Sequence, residues 1–450
     1  MALDGTVVSC MVQELNAALI GGKINKIAQP EKDELMLTIK NNRTQYRLLI
    51  SASASLPLIY LTSENKTGPM TAPNFCMLLR KHIGSGRIVR IWQPGMERII
   101  NLEIEHLNEL GDICKKLLII ELMGKHSNII FCQEDGMILD AIKHVSAQVS
   151  SVREVLPGRQ YFIPETQHKY NPLTITEEEF SGAVCQKPMP LAKALYTTLT
   201  GISPLIAEEI CHRCSLESEQ SANSFNKLEQ IHLYHTLQRL MDDIRNKDYI
   251  PNIVFDGKIP LDFAVLSLTQ YADMETRTYE RVSEVLEQYY AVKNTITRIR
   301  QKSSDLRRVV GTALDRSRKK YDLQLKQMKD TEKREKYKIY GELLNTYGYN
   351  AAEGSKELKA LNYYTNEMIT IPLDPTLTPK ENAKKYFDRY NKLKRTYEAL
   401  TTLLEETQEE IIHLQSISTA LDIALNEEDL VQVKEELTQY GYIKRYLVGN

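Results

Sequence analysis

The stretch YFDRYNKLKRTYEALTTLLEETQEEIIHLQSISTAL, Tyr386 to Leu421, spaces its apolar residues at alternating steps of four and three: Tyr390, Leu393, Tyr397, Leu400 and Leu404, then Ile411, Leu414 and Leu421. That is the seam of a coiled coil, one stripe along a long helix that needs a partner. A rougher copy of the stripe lies upstream, in Val292, Ile296, Ile299, Leu306, Val310 and Ala313, then Tyr321, Leu325 and Met328. The two helical stretches, roughly 283–347 and 381–423, are separated by about thirty residues that include Gly348, Gly354, Pro372, Pro375 and Pro379. Turn-forming residues over so short a span predict an antiparallel hairpin. At about 1.5 Å per residue each arm would be on the order of 65 to 95 Å long, which suits a large partner.

Net charge is only −2, which argues against a simple nucleic-acid binder, but the average hides a polarity. Between Lys293 and Lys338 about sixteen Lys and Arg face about six Asp and Glu. The return helix starts basic, at Lys384, Lys385, Arg389, Lys392, Lys394 and Arg395, and turns acidic at Glu405, Glu406, Glu409 and Glu410. Some of that acid can pair with the first arm; the excess of base on a rod suits a phosphate surface. Seven scattered cysteines, most within apolar runs such as Ile129-Ile130-Phe131-Cys132, read as reduced core residues of a cytosolic protein. Cys211-His212-Arg213-Cys214 is half a zinc site with no second pair at ligand spacing, so no metal is expected. The opening residues Met1-Ala2-Leu3-Asp4 carry neither a basic nor an apolar signal segment, and no run approaches a membrane span, so the reading is a soluble protein without the usual export signal.

The rest of the chain reads as α+β. A helix near Val8 to Leu19 is followed by strands at Lys23–Ile27, Glu34–Ile39, Gln45–Ile50 and Leu58–Leu61, then a helix with Pro73 in its first turn. Arg87–Trp92 and Arg98–Ile104 read as strands joined through Gln93-Pro94-Gly95, and Lys116–Leu122 with Asn128–Cys132 as a second hairpin. The first 175 residues are therefore expected to be a β-rich sandwich or distorted barrel with two helices. After Thr176, which with Glu179 forms a capping box, the strand signal vanishes. Leu195 to Ile210 resembles a helix-hairpin-helix, with Gly201-Ile202-Ser203-Pro204 at its turn. Ser203 stands where the motif has a second glycine and Pro204 removes one N–H, which favours a packed turn over a phosphate contact. A hairpin is expected at Ile253–Phe255 and Asp262–Ser267, and two short strands at Asn362–Tyr364 and Met368–Ile371 between the arms. Thr378-Pro379-Lys380-Glu381 opens the return helix with a capping box and a proline at its first position.

No P-loop, G-x-S-x-G, HEXXH or dinucleotide fingerprint is present, so neither an enzyme nor a cofactor is expected. The informative stretches are Glu97-Arg98, directly after a Pro-Gly turn, and Met123-Gly124-Lys125-His126-Ser127-Asn128. An arginine held in a hairpin can grip a phosphate or a guanine edge, with the neighbouring carboxylate accepting from an exocyclic amine. The bland alternative is a hairpin salt bridge. Lys125 and His126 are polar turn residues by default and phosphate contacts otherwise.

Taken together, Ala2-Leu3-Asp4-Gly5, Glu97-Arg98, Met123–Asn128, Gly201–Pro204, Asn362-Tyr363-Tyr364, and Leu377-Thr378-Pro379 with Ala383-Lys384-Lys385-Tyr386-Phe387 resemble the NFACT family in its bacterial RqcH-type branch, whose members also carry the older label of fibronectin-binding proteins. The likeness runs in order from residue 1 to about 440. It implies an NFACT-N domain over 1–175, a helix-hairpin-helix domain over 176–282, a coiled-coil arm over 283–440 with a small tip at 348–379, and in 441–450 the start of a linker to an absent NFACT-R domain. The N-terminal fold is expected to resemble that of formamidopyrimidine-DNA glycosylases. The catalytic proline and glutamate of those enzymes are replaced by Ala2 and Leu3, so their chemistry is not carried over.

The resemblance implies ribosome-associated quality control: binding of the large ribosomal subunit with its stalled peptidyl-tRNA and nascent chain, and recruitment of alanyl-tRNA for template-free alanine tailing. It implies a tRNA-binding site at Asp4, Glu97 and Arg98, with Lys125 and His126 beside it; position 97 is Glu where the family usually has Asp. Arg316, Arg318, Lys319 and Lys320 on the basic arm would then meet ribosomal RNA. The expected location is the cytoplasm, without a membrane. The rival reading is a surface adhesin for fibronectin, against which the missing signal segment counts.

Overall fold

The computed structural model describes residues 3–165, 168–424 and 426–444; Ala2 and Arg445 to Asn450, which include most of the expected linker, lie outside them. The chain divides into two compact units, Met1–Lys293 and Asn294–Asn450.

The first unit opens with α1 (Gly5–Leu19), which starts three residues before its apolar stripe because Asp4 caps it, accepting from Thr6 N and Val7 N. Four strands then run as a meander, β1 (Lys23–Ala28), β2 (Glu34–Asn41), β3 (Thr44–Ala52) and β4 (Pro57–Thr62). Helix α2 (Asn74–Ile83) buries Cys76, Leu79 and Ile83; Pro73 stands just before its first turn, at the N-cap position and without a side-chain cap, instead of within that turn. Next, β5 (Arg87–Trp92) pairs with β1, and β6 (Ile99–Leu107), β7 (Ile113–Glu121), β8 (Asn128–Gln133) and β9 (Ile138–Ala141) extend the sheet the other way. The order is β4-β3-β2-β1-β5-β6-β7-β8-β9, antiparallel throughout.

This is one continuous sheet, not the two layers of a sandwich. It curls: β3 touches β7, and Lys143, just past β9, donates its ammonium to the Ala52 carbonyl at the end of β3. Strand alternation splits the buried residues between two cores. One face of β6 to β8, through Ile100, Leu102, Leu118, Ile120, Ile129 and Phe131, joins α1 and α2 in the main core. The other face, through Ile99, Ile119, Ile130 and Cys132, is covered by the return segment bearing Val155, Tyr161 and Ile163.

Helices α3 (Glu177–Ala183), α4 (Leu191–Thr198), α5 (Pro204–Arg213) and α6 (Lys227–Arg245) extend the main core, α3 and α6 each opening with a capping box. A small sheet follows, ordered β11-β10-β12, from β10 (Asn252–Asp256), β11 (Ile259–Ala264) and β12 (Glu275–Thr278). β12, Glu-Thr-Arg-Thr, is exposed along its length and so has no apolar alternation by which to be foreseen. Helix α7 (Val282–Asp330) starts in this unit, where Val282, Val285 and Leu286 enter the core and Glu14 accepts from Ser283 N.

In the second unit the remainder of α7, with α8 (Arg334–Tyr347), runs antiparallel to α9 (Pro379–Ile423). Arg307 pairs with Asp422, Gln324 with Thr407, Arg334 with Tyr397 and Tyr337 with Arg389, so one number falls as the other rises. The first-arm stripe differs from the apolar one read above: Leu325 is 43% exposed, while Gln324 is 7% exposed. The inner positions are Ile299, Ser303, Leu306, Val310, Leu314, Ser317, Gln324 and Thr331. Counting only apolar residues skips the four polar ones and slips the stripe onto a neighbouring face. At the turn, β13 (Glu357–Asn362) pairs with β14 (Glu367–Pro372), which places Tyr363 and Tyr364 in the loop between them instead of in a strand. Their inner residues Leu358, Ala360 and Ile371 pack with Leu343, Leu344 and Tyr386. A Cβ at Gly341 would lie 2.7 Å from the Phe387 ring, so any larger residue there would push the ring aside. Helix α10 (Glu427–Gln439) adds Leu430, Val433 and Leu437 to the cluster of Leu306, Val310, Leu414 and Ile417.

Candidate nucleic-acid interface

The expected site begins at the turn between β5 and β6. Glu97 N donates to Pro94 O at 3.0 Å, and Gly95 takes φ +55°. Gln93 Nε2 reaches both the Glu97 carbonyl, at 2.9 Å, and the Gly5 carbonyl, at 3.0 Å, tying the turn to the start of α1. Gly5 N donates to Gly201 O at 2.9 Å, so the α4–α5 turn joins the same point. A Cβ at either Gly5 or Gly201 would sit 2.2 Å from the Met96 carbonyl, and Gly201 has φ +78°. Three backbones therefore meet at a distance only glycine permits.

This junction holds Asp4, Glu97 and Arg98 together. Asp4 was expected to face a ligand, but it is 3% exposed and its carboxylate is taken up internally. Oδ1 accepts from Thr6 Oγ1 (2.6 Å), Thr6 N (3.0 Å) and Val7 N (3.1 Å), and Oδ2 accepts from Ser203 Oγ (2.7 Å). An N-terminal cap at a buried helix start cannot also reach out to RNA; burial pushes its carboxyl up, against the pull of the Thr6 and Ser203 hydroxyls and of the Val7 and Ser203 backbone. Glu97 and Arg98 are half-buried, and Arg98 immediately precedes β6. Burial lowers the Arg98 guanidinium while Asp4 and Glu97 act the other way; an arginine in that balance stays charged. Burial likewise raises Glu97, opposed by Lys169 and Arg98.

The floor of the site is rigid. Leu122 N donates to Arg98 O at 2.9 Å, extending the Ile99–Glu121 register. Glu121 is fully buried and accepts from Arg153 and from Tyr161 Oη, the latter at 2.9 Å. Met123 N donates to Ser127 Oγ at 2.9 Å, and Asn128 Oδ1 accepts from Ile129 N and Lys143 N, so Ser127 and Asn128 shape the next turn. Lys125 and His126 lie exposed on that turn.

Two residues that the sequence did not single out join the cluster. Lys169 and Lys187 come from separate loops, with no motif around them. Asn171 abuts Gly95, with its Nδ2 3.1 Å from where a Cβ would be. The Tyr170 pairing with Leu199 sets Lys169 beside the end of α4. Burial and Arg98 both push the Lys169 ammonium down, with Glu97 opposing.

In the second unit, Arg316, Arg318, Lys319 and Lys320 are all exposed and form no ion pair among the described residues, unlike Arg307 with Asp422. Farther along, cations and rings interleave: Arg334 lies over Tyr397 at 4.2 Å, Arg389 over Tyr337 at 5.5 Å and Lys338 over Tyr390 at 5.9 Å. Exposed base with aromatic faces is the composition of a nucleic-acid surface. Among the described residues no helix is long and apolar enough to cross a membrane, and no three His, Cys, Asp or Glu side chains are grouped to hold a metal ion.

The family model for NFACT N-terminal and middle domains matches residues 4–447. The Rqc2 homolog RqcH of Bacillus subtilis (strain 168) is 34% identical over 448 residues, covering 99% of this chain and 76% of that protein. The ribosome quality control complex subunit NEMF of Homo sapiens is 24% identical over 214 residues, 47% of this chain and 18% of that protein. Among solved structures, the N-terminal part of the fibronectin/fibrinogen-binding protein from Streptococcus suis matches with TM-score 0.53 and 31% identity, covering 64% of this chain and 98% of that one.

Proposed function

Since this chain belongs to the NFACT family, we propose that it is a ribosome-associated quality-control factor of the cytoplasm. In this reading it binds the large ribosomal subunit carrying stalled peptidyl-tRNA and recruits alanyl-tRNA for template-independent alanine tailing of the nascent chain. It is not an enzyme in its own right; peptidyl transfer belongs to the ribosome. Residues 1–175 serve as the NFACT-N domain, 176–282 as the helix-hairpin-helix domain and 283–440 as the arm.

The observation that carries the reading is the Glu97–Arg98 turn, fixed from three sides by Gln93, the Gly5–Gly201 junction and Leu122, with Arg98 half-buried and its charge offset by Asp4 and Glu97. A preorganised arginine of this kind suits paired hydrogen bonds to a phosphate or to guanine. Lys125 and His126, exposed on the next turn, would add phosphate contacts, and Arg316, Arg318, Lys319 and Lys320 would supply an rRNA contact on the arm.

The likeness to a fibronectin/fibrinogen-binding protein favours a second reading, an adhesin that binds fibronectin. One experiment separates them. The chain is affinity-purified from cells with and without Arg98→Ala and the bound RNA is sequenced. Large-subunit rRNA with an enriched tRNA, the tRNA lost in the variant, supports quality control. Retention of fibronectin on the purified protein with no RNA enrichment supports the adhesin.

A further inference from the structure

Lys169 and Lys187 are tied to the same helix end. Lys169 Nζ donates to the Tyr196 carbonyl at 3.3 Å and Lys187 Nζ to Thr198 Oγ1 at 2.6 Å, both in the last turn of α4. Backbone bonds from Tyr170 N to Thr198 O (2.8 Å) and from Thr200 N to Tyr170 O (2.9 Å) lock the Lys169 segment in place. One lysine suffices to balance a helix C-terminus. The second brings a surplus, and each ammonium has three donors of which the fold uses one. The charges acting on Lys169 are Arg98 and Lys187, of like sign, and Glu97, of opposite sign. The other carboxylates of the cluster, Asp4 and Glu121, are sealed inside, Asp4 by Thr6, Val7 and Ser203 and Glu121 by Arg153 and Tyr161. Three cations against one accessible carboxylate leave room for an anion, on a surface where Lys169 is exposed and Lys187 partly so.

The geometry points to Lys169 and Lys187 as a second anion seat beside Arg98, one that takes a backbone phosphodiester of the bound tRNA. The inference rests on the tRNA-binding reading. Arg98, with its planar fork, is suited to a chosen edge; two point-charge ammoniums recognise no base, so their seat adds affinity without choosing the tRNA.

The test is tRNA binding across a KCl series with Lys169→Met/Lys187→Met, Lys169→Arg/Lys187→Arg and the unchanged protein, using two unrelated tRNAs, with melting temperature read for each. The methionine pair should bind both tRNAs roughly three- to tenfold more weakly, with the salt slope reduced by about one and an unchanged melting temperature; the arginine pair should restore both. An unchanged slope and affinity in the methionine pair would overturn the seat while leaving tRNA binding intact. So would weaker binding accompanied by a lower melting temperature and an unchanged slope, since the lysines would then only cap α4. If the unchanged protein binds neither tRNA, the functional reading falls and this inference falls with it.

Discussion

Ser203 donates its hydroxyl to the buried Asp4 carboxylate at 2.7 Å across 199 positions of sequence. The residue that stands where a helix-hairpin-helix would have its second glycine is therefore the one that anchors the start of α1. Ser203 also caps α5, accepting from Ile206 N, so a single hydroxyl joins two helix starts. This is the packed helical turn favoured above, and it makes the turn a support for the Arg98 site.

Removing the Ser203 hydroxyl should cost about 1 to 3 kcal/mol, through the lost cap and the unsatisfied carboxylate. Asp4 adds a pH signature. Its folded carboxyl is raised, so its contribution to stability is fully present below the unfolded value and is lost as pH rises through the folded one. Asp4→Asn, which cannot ionise, should gain on the unchanged protein as pH rises from 4 to 7 in urea unfolding. A difference that stays flat with pH would show that Asp4 is not held above its ordinary range.

Arg98→Lys should be nearly as damaging to tRNA binding as Arg98→Ala, because an ammonium cannot copy the planar fork. Either loss is expected to cost about 1 to 3 kcal/mol in affinity. Glu97→Asp should be tolerated. Filter binding gives the affinities; full activity in Arg98→Ala would reduce the pair to a hairpin salt bridge.

Changing Arg316, Arg318, Lys319 and Lys320 to Glu should weaken co-sedimentation with large subunits and flatten its dependence on salt. All four are exposed, so the melting temperature should hold. Identical sedimentation through the salt series would make this run a solvated face.

Gln324 and Thr407 form a buried polar pair across the seam, Thr407 Oγ1 donating to Gln324 Oε1 at 2.9 Å. Thr407→Val alone should destabilise the second unit by about 1 to 3 kcal/mol, and Thr407→Val with Gln324→Leu should recover most of it. The pair would act as a register pin for the hairpin. A thermal double-mutant cycle with no coupling would refute it.

All seven cysteines are free thiols and six are buried, with Cys114 only partly so. A thiol reagent on the folded protein should modify Cys114 first, and all seven should react after unfolding. Reductant should leave the melting temperature unchanged; a reductant-dependent one would point to an extracellular protein.

The elements were legible because what makes them is local. Thr378 and Glu381 close their capping box within one turn, as do Thr176 and Glu179, and the strands from Lys23 to Leu61 announce themselves by alternation and by the turn at Asn41-Asn42. The apolar seam of α9 was readable in part: Leu400, Leu414 and Leu421 are buried as its spacing requires, while Tyr397 is 37% exposed and Thr407 and Ile417 complete the inner face. The polar half of the opposing seam was not, because Ser303, Ser317 and Gln324 become inner residues only once a partner helix covers them. The site divides the same way. Glu97 and Arg98 are neighbours after a Pro-Gly turn and could be picked out on chemistry alone. That Asp4 is sealed inside, that Glu121 braces the floor through Arg153, and that Lys169 and Lys187 meet at one end of α4 depend on contacts between residues distant in sequence. Helix periodicity and capping are settled within about four residues of a position, whereas which charges come together is decided by how the sheet curls and which backbones glycine lets touch.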